Sequence, residues 1–201
     1  DSRSQSESFA LEAAKLVAAS GLQTGLFNHS CSSPSVSYNC HKHNAKGGIM
    51  ITASHNPPQF NGLKIKMGYG GSALPSVMDG IEKELAALWD SGQRTIDSPL
   101  ESAVQIEMRD LRPAYFDGLR GMVYLTSIGK SGYQVAADPM HGSGSGYLSD
   151  ILRGVGVDID EICRDRNPVF GGLNPEPIAQ NLGPLKEAVL AQRADVGLAI
   201  D

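Results

Sequence analysis

The sequence has little of what would place a protein in a membrane, on nucleic acid or in a disulfide-linked scaffold. No apolar run is long enough to cross a bilayer. Its 17 lysines and arginines against 22 aspartates and glutamates give a net charge of -5, without the dense positive charge that nucleic acid and anionic lipid select. The three cysteines, an odd number, do not suggest a disulfide framework. We therefore expect a soluble globular protein with neither a membrane nor nucleic acid as partner.

The N-terminus, Asp1-Ser2-Arg3, has neither an initiator methionine nor an apolar signal region. We expect it to be trimmed, so that a targeting peptide would no longer be visible. The cysteine usage favours a reducing compartment. We expect the cytoplasm, or the plastid stroma if a transit peptide has been removed.

Two cysteines, Cys31 and Cys40, lie near His29, His41 and His43 in the sequence, and thiolate and imidazole are the usual zinc ligands. Eight residues separate these cysteines, whereas structural zinc sites usually pair ligands two to four residues apart. The spacing argues against zinc. A polar helix with flanking loops is the preferred interpretation.

A serine is placed at a sharp turn. The short apolar run Ile49 to Ile51 lies next to glycines, which predicts a buried strand. Pro57-Pro58 prevents the chain from continuing as a helix or a paired strand, so Ser54 lies on the connection between two elements. A second strand is predicted from Gly62.

That second strand alternates, with Lys64 and Lys66 on one face and Leu63, Ile65 and Met67 on the other. Two ammonium groups beside Ser54 would suit a phosphate carried or transferred there. Taken alone, the pattern favours a half-exposed strand with two lysines in solvent, because such alternation is its ordinary signature.

Helices and strands alternate along the chain, as in an α/β protein. We predict two consecutive three-layer α/β/α domains with mixed, mainly parallel sheets, each incomplete at the chain ends. The turn-rich stretch Gly92 to Pro99 and the pair Arg112-Pro113 place the boundary between residues 1–112 and 113–201. Besides the strands around the serine, the predicted elements are helices at Ser8 to Ala19, Pro34 to His43, Pro75 to Trp89, Ala114 to Ser127, Tyr147 to Arg153 and Leu185 to Gln192, and strands at Gln134 to Ala137, Val157 to Ile162 and Val196 to Ile200.

Two rival functions follow from local motifs. The glycine-rich turn His141 to Gly146 lies between a predicted strand and helix, as in a dinucleotide site, with Asp158 or Asp160 available for a ribose hydroxyl. Counted from Gly142, however, the third glycine position of that fingerprint is Tyr147. A serine hydrolase would need a histidine base, but His55 adjoins the serine and no Gly-x-Ser-x-Gly elbow is present.

The string Thr52-Ala53-Ser54-His55-Asn56-Pro57, followed by Asn61-Gly62-Leu63-Lys64, resembles the active-serine loop of the phosphohexomutases, the phosphoglucomutase and phosphomannomutase family. Other segments are also similar to that family: Asp1-Ser2-Arg3, Ala137 to Gly144, Asn174 to Pro177 and Ala194 to Asp201. The resemblance thus covers both predicted domains.

The resemblance implies a mutase that moves a phosphoryl group between O1 and O6 of a hexose phosphate, with a hexose 1,6-bisphosphate as intermediate and activator. Ser54 would carry the phosphoryl group, His55 would be its neighbour in the cleft, and Lys64 would assist proton transfer. Arg3 and Lys66 would bind substrate. No choice among glucose, mannose and amino sugars is implied, and no oligomeric state.

The family's magnesium loop, Asp-Gly-Asp-x-Asp-Arg, supplies three carboxylates to an ion that the phosphoserine also binds. Asp201 matches the first carboxylate, and the sequence stops there. We therefore expect an incomplete Mg2+ site, with Ser54 and Asp201 as the ligands present, and a chain that is inactive by itself. The alternative is a non-catalytic module that binds sugar phosphates or a protein.

Overall fold

The computed structural model describes residues 1–93 and 105–201. In chain order the elements are α1 (Ser6–Ala19), β1 (Thr24–Phe27), α2 (Ser33–Lys42), β2 (Gly47–Ile51), β3 (Leu63–Met67), α3 (Pro75–Asp90), β4 (Ile106–Arg109), α4 (Arg112–Met122), α5 (Leu125–Gly129), β5 (Gln134–Asp138), α6 (Tyr147–Arg153), β6 (Asp158–Glu161), α7 (Gly183–Gln192) and β7 (Val196–Ala199). The predicted α/β class is confirmed. The turn-rich stretch predicted at Gly92 to Pro99 lies largely outside the described residues.

The first half of the chain, up to residue 112, contains two small sheets. β2 and β3 pair antiparallel, with Ile51 opposite Leu63, whereas β1 pairs parallel with β4. Sequence analysis predicted neither β1 nor β4. Each is four residues long, and each is paired with a strand about eighty residues away, which leaves too little local pattern to detect.

The second half contains one parallel sheet in the order β6-β5-β7. The central strand β5 is buried, and Ala136 and Ala137 are completely inaccessible. Val135, Leu152 and Ile159 form part of the core on this sheet. Parallel strands covered on both faces are typically apolar, as the three central residues of this one are, between Gln134 and Asp138.

Two predicted helices differ in detail. The helix expected from Ala114 to Ser127 is two helices, because Val123 adopts the extended conformation (φ -122°, ψ 137°) and ends α4. The amphipathic helix α3 forms as predicted, but none of its own residues is buried. No helix among the described residues is both long and apolar enough to cross a membrane.

Aromatic rings join the two halves of the chain. The ring of Tyr115 in α4 lies 5.8 Å from that of Tyr38 in α2 and 6.0 Å from that of Tyr147 in α6, between ring centroids. Beside them, the buried Asn39 donates through its side-chain amide to the carbonyl of Leu111, at 3.1 Å. These contacts pack α4 against both α2 and α6.

Candidate functional site

The turn after β2 holds Ser54 in an unusual backbone conformation. Pairing with β3 extends one residue beyond the strand, since the Thr52 N–H donates to the Gly62 carbonyl at 2.9 Å. Two residues later Ser54 has φ 55°, in the left-handed region that serine rarely adopts. Its side chain is half-buried. The sharp turn predicted at this serine is therefore present.

Two side chains fix this conformation through hydrogen bonds. The Thr52 hydroxyl accepts the Ser54 N–H at 3.0 Å and donates to the Asp1 carboxylate at 2.6 Å. Sequence analysis missed both roles. A threonine two residues before a left-handed residue is a signal for such a bond, because threonine hydroxyls commonly bond the backbone two positions on.

A cleft of about 280 Å³ opens in front of the serine, between the two halves of the chain. From the first half it is lined by Thr52, Ser54 and Lys64, and from the second by Ser143, Phe170 and Asp201, among others. The structure therefore brings together three residues that the family resemblance singled out, from positions as far apart as 54 and 201. This cleft combines a hydroxyl, an ammonium and a carboxylate.

The Asp201 carboxyl lies in an electrostatically mixed environment. Partial desolvation raises the pKa of this group, although the residue as a whole is exposed. The positive charges of His55, Arg3 and Lys64 oppose that rise in pKa, in this order of strength, and Glu176 reinforces it. Several positive charges thus surround this carboxylate, which favours an anionic ligand in the cleft.

Three other predicted residues lie outside the lining of this cleft. Lys66 donates to the Ser72 hydroxyl at 3.2 Å, two residues along β3 from Lys64. Arg3 is completely buried and faces the backbone of the serine turn. His55 is exposed to solvent and lies near enough to Asp201 to act on the pKa of that carboxyl.

The hydrolase alternative requires a histidine base at Ser54. Among residues 1–93 and 105–201, no hydrogen bond joins the Ser54 hydroxyl to an imidazole. This geometry therefore gives the serine-hydrolase alternative no support.

The dinucleotide alternative loses the anion site on which it depended. The carboxylate of Glu161 accepts the Gly146 N–H at 3.0 and 3.2 Å and the Ser149 hydroxyl at 2.7 Å. The Glu161 side chain is only 1% exposed. The start of α6 is thus already occupied by a carboxylate of the protein itself, and Asp160 bonds the side chain of Gln192.

The cysteines and histidines considered as zinc ligands occupy different environments. Cys31 and Cys40 pack with Val36 and Met50 in an apolar cluster. His41, in contrast, is exposed to solvent. No group of three potential metal ligands from histidine, cysteine, aspartate and glutamate occurs in the described parts of the chain.

Comparison with known proteins agrees with this geometry. The chain is 30% identical to a phosphoglucomutase/phosphomannomutase of Thermococcus kodakarensis over 84% of its own length, and 29% identical to a phosphoglucosamine mutase of Acaryochloris marina over 100%. It spans 36% and 42% of those two relatives. A solved structure from Thermus thermophilus, assigned as a phosphomannomutase, superposes with a TM-score of 0.82 at 32% identity, covering 98% of this chain and 43% of that one.

Family models match nearly the whole chain. The model of phosphoglucomutase/phosphomannomutase alpha/beta/alpha domain I matches residues 1–89, and that of alpha/beta/alpha domain II matches residues 113–201. Both halves of the cleft thus come from matched segments. The chain belongs to the phosphoglucomutase/phosphomannomutase family.

Proposed function

We propose that this chain carries the phosphoserine part of a hexose phosphate mutase, with Ser54 as the phosphoryl carrier. The observation that supports this most is the position of Ser54 at the mouth of a cleft that also holds Lys64 and Asp201. An accessible, conformationally fixed hydroxyl beside positive charge suits phosphoryl transfer, in which catalysis is mostly positioning and charge stabilisation.

In the proposed reaction, phosphorylated Ser54 donates its phosphoryl group to the free hydroxyl of a hexose monophosphate. The bond from phosphorus to the serine oxygen breaks, a bond to the sugar oxygen forms, and the proton of the sugar hydroxyl passes to the released serine oxygen. The hexose 1,6-bisphosphate then turns over and returns its other phosphoryl group to Ser54. The ammonium of Lys64 stabilises the charge on the transferred group and assists the proton transfer.

Magnesium would supply further neutralisation of phosphate charge in such a reaction. The described residues fit the ion only in part. Of the two carboxylates in the lining of the cleft, that of Asp1 is already bound to Arg3 and Thr52, which leaves Asp201. Mg2+ prefers six oxygen ligands in near-octahedral geometry. The donor set is therefore incomplete, and we assign no step of the reaction to a metal held by this chain.

The incomplete donor set leads us to propose that residues 1–201 are not a competent mutase alone. It also supports a second candidate, a module that binds sugar phosphates or a protein without turning them over. In both cases the ligands proposed for the cleft are hexose phosphates, and a cytoplasmic location remains our prediction.

The test compares the 201-residue chain with the protein as its gene encodes it. We expect the chain to show no steady conversion of glucose 1-phosphate, and the encoded protein to convert a hexose 1-phosphate and to carry one phosphate on Ser54, seen by intact mass and peptide mapping. Because one relative is named a phosphoglucosamine mutase, glucosamine phosphate is assayed beside glucose and mannose phosphates.

Ser54→Ala should abolish both the phosphate and the activity, while the exposed Ser91→Ala should change neither. Activity that survives in Ser54→Ala would rule out the serine as carrier. Steady turnover by the 201-residue chain would overturn the proposal that it is inactive. Calorimetric binding of hexose phosphates by an encoded protein without turnover would favour the binding module.

A further inference from the structure

Arg3 is completely buried, and its guanidinium is turned toward the backbone of the serine turn. One terminal nitrogen donates to the carbonyl oxygens of Pro57, at 2.8 Å, and Phe60, at 3.2 Å. The other donates to the carbonyls of Asn56, at 2.7 Å, and Ser54. One side chain thus holds four carbonyl groups of a single turn.

The remaining donor of Arg3 is also used. Its Nε donates to the Asp1 carboxylate at 3.1 Å, and that carboxylate accepts the Thr52 hydroxyl, which in turn holds the Ser54 N–H. The guanidinium therefore makes five hydrogen bonds with its five N–H groups. It has no donor left for a substrate phosphate.

The second half of the chain closes over the same side chain. The Phe170 ring lies 5.0 Å from the Arg3 guanidinium carbon, measured to the ring centroid, and is itself buried. Arg166 donates to the Arg3 carbonyl at 3.1 Å. Arg3 is thus enclosed between the serine turn on one side and the second half on the other.

We propose that Arg3 is a positioning residue that fixes the Ser54 turn from behind, in place of the substrate contact that the family resemblance implied. The inference rests on the proposed function of Ser54. The turn requires arginine, because a lysine has three donors on one nitrogen and cannot reach four carbonyls and a carboxylate together. Without the guanidinium, the left-handed Ser54 would no longer be held at one orientation toward the cleft.

The experiment uses Arg3→Lys in the protein as encoded, with Arg120→Lys as control. Arg120 also pairs with a carboxylate, that of Asp117, but its side chain is 49% exposed. A misplacement of the carrier by about 1 Å lowers the rate on the order of 10²-fold. We therefore expect Arg3→Lys to lower kcat by about that factor, with KM for the hexose phosphate unchanged within about twofold. Arg120→Lys should change neither.

A rise in KM with kcat unchanged would mean that Arg3 binds substrate, and the proposal would be overturned. If Arg3→Lys does not fold, Thr52→Val removes the link to the Ser54 N–H with almost no change in shape. That variant should likewise lower kcat and leave KM for the hexose phosphate unchanged. An unchanged kcat in Thr52→Val would also overturn the proposal.

A readout without catalysis separates this inference from the proposed function. Hydrogen exchange of the Ser54 amide should be faster in Arg3→Lys than in the wild-type protein, and unchanged in Arg120→Lys. If Ser54→Ala keeps full activity, the carrier role fails, but faster exchange would still support the positioning role of Arg3. Unchanged exchange in Arg3→Lys would rule that role out.

Discussion

Tyr38 and Tyr115 meet edge to face, with ring centroids 5.8 Å apart and ring planes at 66°. The first ring belongs to α2 and the second to α4, so this contact joins the half that holds Ser54 to the half that holds Asp201. Edge-to-face pairs contribute about 0.5–1.5 kcal/mol beyond the burial of area.

The first prediction concerns this junction. Tyr115→Leu should lower the free energy of unfolding by about 1–3 kcal/mol, since it removes the contacts with both Tyr38 and Tyr147. Urea denaturation measures the change. Tyr124→Leu is the control, because that ring is 88% exposed, and it should shift stability by less than about 0.5 kcal/mol. Equal effects of the two substitutions would contradict the assigned role of the junction.

Two helical glycines should respond oppositely to the same substitution. A Cβ on Gly129 would lie 2.1 Å from the carbonyl oxygen of Val155, so Gly129→Ala should destabilise the protein by about 1–3 kcal/mol. Gly80 is exposed in α3, with nothing within 4 Å of an added Cβ. Gly80→Ala should therefore stabilise by about 0.5–1 kcal/mol through helix propensity. Thermal unfolding of both variants checks the signs, and a stabilising Gly129→Ala would contradict the packing of α5.

The third prediction concerns Glu161. Glu161→Ala leaves the buried Gly146 N–H without its partner and removes the nearer of the two acceptors of the Ser149 hydroxyl, the other being the Gly146 carbonyl. An unsatisfied buried donor costs about 1–3 kcal/mol. We therefore expect the free energy of unfolding, measured by urea denaturation, to fall by that amount. Glu187→Ala, at an exposed position of α7, should have less than about 0.5 kcal/mol of effect. A loss no larger than the control would show that the carboxylate does not cap α6.

The fourth prediction is a pH dependence that comes from Cys31. Burial raises the pKa of its thiol from 9.0 to about 11. The pKa of this thiol is higher in the folded than in the unfolded protein, so the folded protein binds the thiol proton more tightly. The resulting contribution to the free energy of unfolding is fully present below pH 9 and is lost as the pH rises toward 11. A shift of that size corresponds to about 2 to 3 kcal/mol. The free energy of unfolding should thus fall between these pH values, and Cys31→Val should flatten that fall. An identical slope in variant and wild type would contradict the assignment.

The fifth prediction concerns the backbone at Ser54. Because φ is 55°, a residue with a Cβ is strained there by about 1–2 kcal/mol, whereas glycine is not. Ser54→Gly should therefore be more stable than Ser54→Ala by about 0.5–1 kcal/mol, the reverse of the order in an exposed helix. Urea denaturation of the two variants decides this, and a more stable alanine variant would show that the conformation is not strained.

What the sequence reveals about the fold depends on how local each pattern is. The turn at Ser54 follows from Pro57-Pro58 and the apolar run before it, and helix α6 follows from its flanking glycines. The pairing of β1 with β4 is not local. β4 alternates apolar and charged residues but only over four positions, and β1 does not alternate, so neither pattern is long enough to predict a strand. The break at Val123 also escaped prediction, because apolar residues continue on both sides of it.

The residues of the candidate site differ in the same respect, since local sequence identifies some of them and not others. Ser54, Lys64 and Asp201 could be identified from motifs, since each lies in a segment typical of the family. The burial of Arg3 could not, because the partners of four of its five hydrogen bonds lie more than fifty residues away and are main-chain carbonyls, which any sequence would supply. Composition predicts an exposed arginine at such a position, and only the surrounding fold makes it buried.

The left-handed conformation of Ser54 has a consequence for the engineering of this protein. A library randomised at position 54 and screened for heat resistance would enrich glycine, which fits the turn without strain but has no hydroxyl. With Ser54 as the phosphoryl carrier that we propose, a library screened for turnover would enrich serine at the expense of stability. At this one position the two screens select different amino acids, so heat-resistant variants have to obtain their gain from other positions.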